Sequence, residues 1–323
     1  MGCPLSGLAG NEPTQYFIII HVKYPNERLY TMAIPDEEFL LKTTSACAGC
    51  PSSLILRYVT KAAGADTVLV IPACCTSVIQ GVYPTTAMNL PVYNVAFASA
   101  AAVASGMSEA FRAEGKKTNV ICYAGDGGTI DIGIQALSGA LERGTDFLYI
   151  CYDNEAYSNT GMQRSGATPL GAMTTTTPGG KKDHKKDLDA IVAAHHPVYQ
   201  ATACAAYPQD LYNKVEKALS IPGPKFMHVL APCPPGWRFP SEKTVEMGKL
   251  AVKSGLWVLY ERENGKLTIT GASKAAMKKR IPVEDYLSVQ GRFRKITAEE
   301  TVKMQQMVED TIVRLQREVD GIC

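Results

Sequence analysis

A chain of 323 residues, 46% of them hydrophobic, can bury a full core and has the size of one α/β layer structure with extensions. Its formal net charge of +2 gives no electrostatic footprint for nucleic acid. No apolar run approaches the about 18 residues of a membrane span, the run 17–22 being far too short. The opening Met-Gly-Cys-Pro lacks the charged and apolar regions of a secretory signal, and Met1-Gly2 alone is a weak myristoylation signal. A cytoplasmic protein is expected, with neither nucleic-acid nor membrane partners. In that reducing compartment the ten cysteines are ligands or plain buried thiols rather than disulfides.

Residues 1–33 read as an N-terminal extension with one apolar run. From 34 to 235, strand-like runs alternate with helical stripes. Strands are expected near 67–73, 91–96, 118–124, 147–153, 197–202 and 226–231, and helices near 51–63, 96–114, 129–143, 186–195 and 208–219. The alternation predicts an α/β fold with a doubly wound, mostly parallel sheet. The stretch 98–110, rich in Ala, Ser and Gly, suits a closely packed helix.

Residues 159–186 are polar and rich in Gly and Thr, and a loop of that length is functional or disordered. Lys181, Lys182, Lys185 and Lys186 form a basic run inside it, read either as a solvated face or as a docking patch for an acidic partner or a phosphate-bearing ligand. Arg164 is a candidate contact for a substrate carboxylate or a partner subunit. His195-His196 has no third ligand at metal spacing and reads as structural. Residues 236–323 begin Pro-rich and end in a polar helix near 298–318, which suggests a wrapping or subunit-contact extension.

The most informative strings are Ala-Gly-Asp-Gly-Gly-Thr-Ile-Asp-Ile-Gly at 124–133 and Tyr-Asp-Asn-Glu-Ala-Tyr-Ser-Asn-Thr-Gly at 152–161. Each follows an apolar run, and Ile130, Ile134, Leu137 and Leu141 between them make a helical stripe. Strand, helix and strand form a βαβ unit whose strands are parallel and usually adjacent. That brings Asp126 and Asn154 together at the carboxyl edge of a sheet, where open α/β folds bind ligands.

One carboxylate, one amide oxygen and a loop carbonyl leave a Mg²⁺ shell incomplete, and phosphate oxygens commonly supply the rest. Glycines around Asp126 let backbone approach such phosphates, and the helix opening near Thr129 adds a favourable dipole. These residues argue for a Mg²⁺–diphosphate site. A plain strand–turn–helix with a capping Asp is the competing reading, and the paired Asn string weighs against it.

Cys47-Ala-Gly-Cys50 precedes Pro51-Ser-Ser, a helix start; Cys74-Cys75 and Cys233 each follow a strand-like run. All of these can converge on the edge that carries Asp126. Four thiolates make a shell for a [4Fe–4S] cluster or a structural zinc, and spacing alone does not choose between them. Cys122 and Cys151, inside strand-like runs, read as core residues. Cys3, Cys204 and Cys323 have no partner by spacing, with Cys204 the fallback fourth ligand.

Taken together, the strings 125–133 and 152–161, with Thr174-Thr-Thr-Thr-Pro178, Ala231-Pro-Cys-Pro-Pro-Gly-Trp237 and Gln290-Gly-Arg-Phe-Arg294, resemble the β subunit of the 2-oxoacid:ferredoxin oxidoreductases, pyruvate synthase above all. The resemblance runs from about Ile34 to about Ile296. It implies the thiamine-diphosphate-binding fold, with Asp126, Asn154 and the Ala156 carbonyl on Mg²⁺ and Gly125, Gly127 and Asn159 on the diphosphate. It also implies a [4Fe–4S] cluster on Cys47, Cys50, Cys75 and Cys233. Cys75 rather than Cys74 matches the family's Thr-Gly-Cys, here Ala73-Cys74-Cys75. Pro51 stands where relatives usually have Gly, a change on the cofactor side.

The carboxylate that activates thiamine is absent here, and the resemblance assigns it to a Glu of an α subunit. Further γ and δ subunits, ferredoxin as electron acceptor and coenzyme A as acyl acceptor complete a heterotetrameric enzyme. On that reading the lysine run would dock ferredoxin or coenzyme A phosphates. Pyruvate is the expected substrate, with oxalate, phenylglyoxylate or a branched 2-oxoacid as alternatives. A thiamine decarboxylase without redox chemistry and a non-catalytic electron-transfer subunit are the competing classes.

Overall fold

Six parallel strands and an antiparallel hairpin form one eight-stranded sheet in this computed structural model, which describes residues 34–321. The strands are β1 Thr67–Pro72, β2 Val92–Val95, β3 Asn119–Gly125, β4 Phe147–Asp153, β5 Tyr199–Cys204, β6 Pro224–Leu230, β7 Tyr260–Glu263 and β8 Lys266–Ile269. Their order is β2-β1-β3-β4-β6-β5-β7-β8, with β5–β7 and β7–β8 antiparallel and the other pairs parallel. The helices are α1 Pro51–Ala63, α2 Cys75–Gln80, α3 Ala100–Ala113, α4 Ile134–Glu142, α5 Leu188–Ala193, α6 Pro208–Ser220, α7 Pro234–Trp237, α8 Thr244–Lys253, α9 Ser273–Lys278, α10 Val283–Leu287 and α11 Ala298–Val319. The extension at 1–33, with Cys3, and Cys323 at the other end lie outside the described residues.

Every residue of β4 and β6 is buried, as expected of central parallel strands covered on both faces. Side chains alternate between two cores. Ile121, Tyr123, Leu148 and Ile150 pack with Ile55 and Val59 of α1 and Leu211 and Val215 of α6. Val120, Cys122, Tyr149 and Cys151 pack with Ala104 of α3 and Leu137 and Leu141 of α4, so Cys122 and Cys151 are core thiols. The small residues of α3 are the buried ones, Ala100, Ala101, Ala104 and Ser105, which lets this helix sit close to the sheet.

Three boundaries depart from the sequence expectation. The helix foreseen at 96–114 begins at Ala100, because Ser99 first closes a turn onto the Ala96 carbonyl at 3.0 Å. The helix foreseen at 129–143 opens as one π-helical turn, Gly127–Asp131, and becomes α-helical only at Ile134. Residues 236–321 do more than wrap: they add β7 and β8 to the sheet. They also build a third core in which Trp237, Trp257 and Phe293 pack with Met304, Val308 and Ile312 of α11.

Candidate active site

From β1 the chain steps outward to β2, then returns past β1 to β3 and continues to β4. Such a reversal opens a crevice at the carboxyl ends of the strands. Around it stand Cys75 after β1, Asp126 after β3, Asn154 after β4 and Cys233 after β6.

Asp126 is 1% exposed, and its Oδ2 accepts from Ser165 Oγ at 2.5 Å. The neighbouring Asn154 amide has two settings. With nitrogen turned inward it donates to Asp126 Oδ1 at 3.2 Å and to the Ala156 carbonyl at 2.8 Å. With oxygen inward it accepts from Ser158 Oγ at 2.8 Å, and its nitrogen turns toward Cys75 Sγ at 3.9 Å. Three oxygens then face one another without a proton between them, a cup for a hard cation. Burial and the Asp153 and Glu155 carboxylates raise the pKa of Asp126 well above the usual carboxylate range. A divalent cation would relieve that concentration of negative charge.

Residues that the sequence reading passed over hold this cup in place. Trp237 Nε1 donates to the Asn154 carbonyl at 2.8 Å. The Arg292 guanidinium lies 3.8 Å over the Trp237 ring and pairs with Glu155 at 2.6 Å. Glu155 is a non-glycine residue at φ 62°, held by its amide donating to Asp153 Oδ1 and its carbonyl accepting from Thr168 Oγ1. The strings at 231–237 and 290–294 are thus the underlay of the Asn154 turn. Tyr157 covers the other side. Its ring packs on Gly127, where a Cβ would come within 2.1 Å of it, and its hydroxyl donates to Asp131 Oδ2 at 2.7 Å.

His228 is buried beneath the cup, with Nε2 2.9 Å from Asp153 Oδ2 and Nδ1 3.2 Å from Asp189 Oδ2. Burial opposes its charge, but the Asp189 and Asp153 carboxylates outweigh burial and raise its pKa to about 10. A group raised on folding stabilises fully below its unfolded pKa and loses that contribution as pH passes its folded one. The thermal midpoint of the protein is therefore expected to fall between about pH 6.5 and about pH 10. Differential scanning calorimetry should show a flatter pH dependence for His228→Gln; an equally steep one would remove His228 as its source.

The lysine run is partly a solvated face, with Lys182 and Lys186 exposed, and each of its lysines also contacts another part of the chain. Lys181 Nζ donates to the carbonyls of Thr168 at 2.6 Å and His184 at 3.2 Å. Lys182 pairs with Glu300 at 2.7 Å, Lys186 with Asp131 at 2.6 Å, and Lys185 lies 5.4 Å over the Trp257 ring. These contacts hold a segment without helix or strand against the body of the protein. Arg164 pairs with Asp183 at 3.8 Å on a separate open cleft and does not reach the cup. His195 bonds Ser138 Oγ at 2.8 Å and the Ile191 carbonyl at 2.9 Å, a structural role.

Cys47, Cys50, Cys75 and Cys233 line one cavity of ≈ 380 Å³, together with Asn154, Ser158 and Asn159. Pro51, the first residue of α1, also faces it. Cys74 is buried beside it and Cys204 lies under α8 against Gly248; neither lines the cavity. Burial pushes the Cys50 thiol up, Cys75 to about 12 and Cys233 to about 11. Backbone amides oppose this: Ser53 and Ser52 at the start of α1 point at Cys50, Asn159 at Cys75 and Gly236 at Cys233. Among the described residues no three His, Cys, Asp or Glu side chains close on a single metal ion. A tetrahedral zinc would need its sulfurs about 3.8 Å apart, given Zn–S bonds of about 2.3 Å. The four sulfurs stand around the cavity instead.

The Cys47–Cys50 loop closes with the Cys50 amide on the Cys47 carbonyl at 3.0 Å, and Thr244 Oγ1 donates to the Gly49 carbonyl at 2.8 Å. Gly49 sits at φ +69°, and a Cβ there would come within 2.3 Å of the Ser241 carbonyl oxygen. Gly49→Ala is expected to displace this loop and, where the four cysteines bind iron as the family resemblance implies, to sharply reduce iron content of the purified complex, measured by chelator assay. Parental iron content would show that the loop does not position Cys47 and Cys50.

Residues 73–229 match the family described as thiamine pyrophosphate enzyme, C-terminal TPP binding domain. The chain is 47% identical over 307 residues to ketoisovalerate oxidoreductase subunit VorB of Pyrococcus abyssi, covering 92% of this chain and 98% of that one. It is 48% identical over 291 residues to pyruvate synthase subunit PorB of Methanothermobacter marburgensis, covering 88% and 100%. The chain belongs to the β-subunit family of the 2-oxoacid:ferredoxin oxidoreductases. The fold of this β subunit is shared by 2-oxoglutarate:ferredoxin oxidoreductase from Magnetococcus marinus. That structure, with 2-oxoglutarate, coenzyme A and succinyl-CoA bound, has a TM-score of 0.55 and 19% identity over 68% of this chain and 81% of its own. No helix of the described residues is long and apolar enough to cross a membrane.

Proposed function

We propose that this β subunit holds Mg²⁺–thiamine diphosphate and one [4Fe–4S] cluster in an enzyme that oxidises pyruvate with coenzyme A and ferredoxin. The observation that carries this reading is one sheet edge bearing both a three-oxygen cup and four cysteines around a single cavity. When bound, thiamine diphosphate supplies the electron sink for decarboxylation and the cluster accepts electrons singly. Asp126, Asn154 and the Ala156 carbonyl hold the cation, and Gly125, Gly127 and Asn159 meet the diphosphate. Tyr157, packed on Gly127, excludes water from that turn. Cys47, Cys50, Cys75 and Cys233 hold the cluster. A [4Fe–4S] cluster would take one thiolate at each of its irons, and the four cysteines that line this cavity would supply them.

We assign the activating Glu to an α subunit, further clusters to γ and δ subunits of a heterotetramer, and the enzyme to the cytoplasm. The free state of all eight cysteines among the described residues supports a reducing compartment. A branched 2-oxoacid is the second reading for the substrate, because the ketoisovalerate and pyruvate relatives are 47% and 48% identical.

Anaerobic viologen reduction by the complex purified with this chain tests the reading. Coenzyme-A-dependent reduction with pyruvate is expected. A higher kcat/KM for 2-oxoisovalerate would transfer the substrate to the branched class. A complex without iron would sink the cluster.

A further inference from the structure

The π-helical turn that follows β3 ends on Asp131, and single turns of this kind are frequent at functional sites. Three groups from the chain beyond Asn154 converge on its carboxylate. Tyr157 donates its hydroxyl to Oδ2 at 2.7 Å, the Gly166 amide donates to the same oxygen at 2.9 Å, and Lys186 Nζ donates to Oδ1 at 2.6 Å. A Cβ on Gly166 would come within 2.5 Å of Asp131 Oδ1, so glycine lets the chain approach this closely. Two of the three contacts lead to the cup. Ser165, next to Gly166, gives its hydroxyl proton to Asp126 Oδ2 at 2.5 Å, and a hydroxyl has one proton to give. That bond fixes how the buried carboxylate is turned, with Oδ1 3.2 Å from the Asn154 side-chain amide. The Tyr157 ring lies on Gly127, with Phe97 edge-on to it at 6.1 Å between ring centres.

We propose that Asp131 is a positioning residue for Mg²⁺–thiamine diphosphate: through Gly166 and Ser165 it fixes the Asp126 carboxylate, and through Tyr157 it fixes the Gly127 turn. This rests on the cofactor reading above. A carboxylate accepts at about four lone-pair positions, so one side chain holds all three donors without competition. Bonds to an ionised acceptor are shorter and stronger than neutral ones, which suits a single clamp on several partners. Thr168 Oγ1 accepts from the Ser165 amide at 3.0 Å and donates to the Glu155 carbonyl at 2.7 Å, holding this turn from the Glu155 side. Asp131 holds it from the β3 side. Without Asp131 the turn pivots on Thr168, and the Ser165 hydroxyl is no longer aimed at Asp126. Asp131 does not line the cysteine cavity, so its loss acts on the oxygen cup and not on the thiols.

The test is calorimetric titration of thiamine diphosphate, with Mg²⁺ present, into the purified complex stripped of cofactor. Asp131→Ala is expected to weaken binding by about 10–100-fold, the usual cost of losing a group that orients a metal ligand. The KM for the 2-oxoacid, read at saturating cofactor, and the iron content stay at their parental values; a merely structural role would move all three together. Asp131→Asn keeps an oxygen for Tyr157 and Gly166 and loses only the Lys186 ion pair. It should therefore bind within about fivefold of the parent, the size of an exposed pair. Because Asp131 acts partly through Ser165, the double variant with Ser165→Ala should bind better than the product of the two single effects implies. Where Asp131→Ala fails to assemble, Ser165→Ala and Tyr157→Phe read its two routes separately, and each is expected to weaken binding at a parental thermal midpoint. Parental affinity in Asp131→Ala, or in both of those variants, overturns the proposal, as does full additivity in the double variant. A parent complex that binds no thiamine diphosphate overturns the cofactor reading itself.

Discussion

Asp126→Asn is expected to weaken Mg²⁺–thiamine diphosphate binding by more than about 100-fold while leaving the fold intact. Removing a partner that only orients a metal ligand typically costs about 10–100-fold, so loss of the single carboxylate in the cup costs more. The fold should survive because Asn has the same shape and keeps an oxygen for the Ser165 hydroxyl. The substitution also removes a charge from a group 1% exposed, beside Asp153 and Glu155. An apoprotein relieved of an uncompensated buried carboxylate melts no earlier than its parent. Isothermal titration calorimetry and thermal unfolding read the two effects separately. Parental affinity would remove Asp126 from the cation site, and an early melt would show that its carboxylate is needed by the fold itself.

The second large effect concerns Arg292, which is 3% exposed and paired with Glu155 at 6%. Arg292→Met leaves that carboxylate buried without a cation, a change that costs about 3–5 kcal/mol in such pairs. It also strips the guanidinium from the Trp237 face, so the Asn154 carbonyl loses a rigid donor. Thiamine diphosphate affinity should fall by about 10–100-fold, the usual cost of losing support behind a metal ligand. The double variant Glu155→Gln with Arg292→Met removes both charges, and most of the stability is expected to return. Urea unfolding of the parent, the two single variants and the double variant closes this cycle. Additive single effects below about 1 kcal/mol would mean that the pair behaves as an exposed one.

The parallel core was legible because β1, β3 and β4 are largely apolar runs, and β6 is one interrupted only by Lys225 and His228. The two motifs were legible because each sits at a strand end, where topology leaves few choices for what they meet. The hairpin β7–β8 was missed despite a signal: Asn264-Gly265 between Glu263 and Lys266 makes a two-residue turn with both residues at positive φ. Its strands are short and charged, so the apolar periodicity used to find the others was silent.

The support behind Asn154 was not legible. Arg292 lies far along the chain from Glu155, and nothing local in either sequence says that an arginine will stack on Trp237 and be buried. The lysine run was legible only in part: Lys182 and Lys186 are exposed, as a solvated face would be, but the burial of Lys181 was not foreseen. The partners Thr168, Glu300, Asp131 and Trp257 come from four separate places in the chain.

The hexapeptide Asn154–Asn159 borders both the oxygen cup and the cysteine-lined cavity, and this limits how such a protein can diversify. A change that improved one centre would be felt by the other, so variation there is filtered twice. New substrate preferences must then arise in parts that answer to only one demand, such as the Pro51 side of the cavity or a neighbouring subunit. Proteins whose names carry different 2-oxoacids can in that way share almost half of their residues with this one.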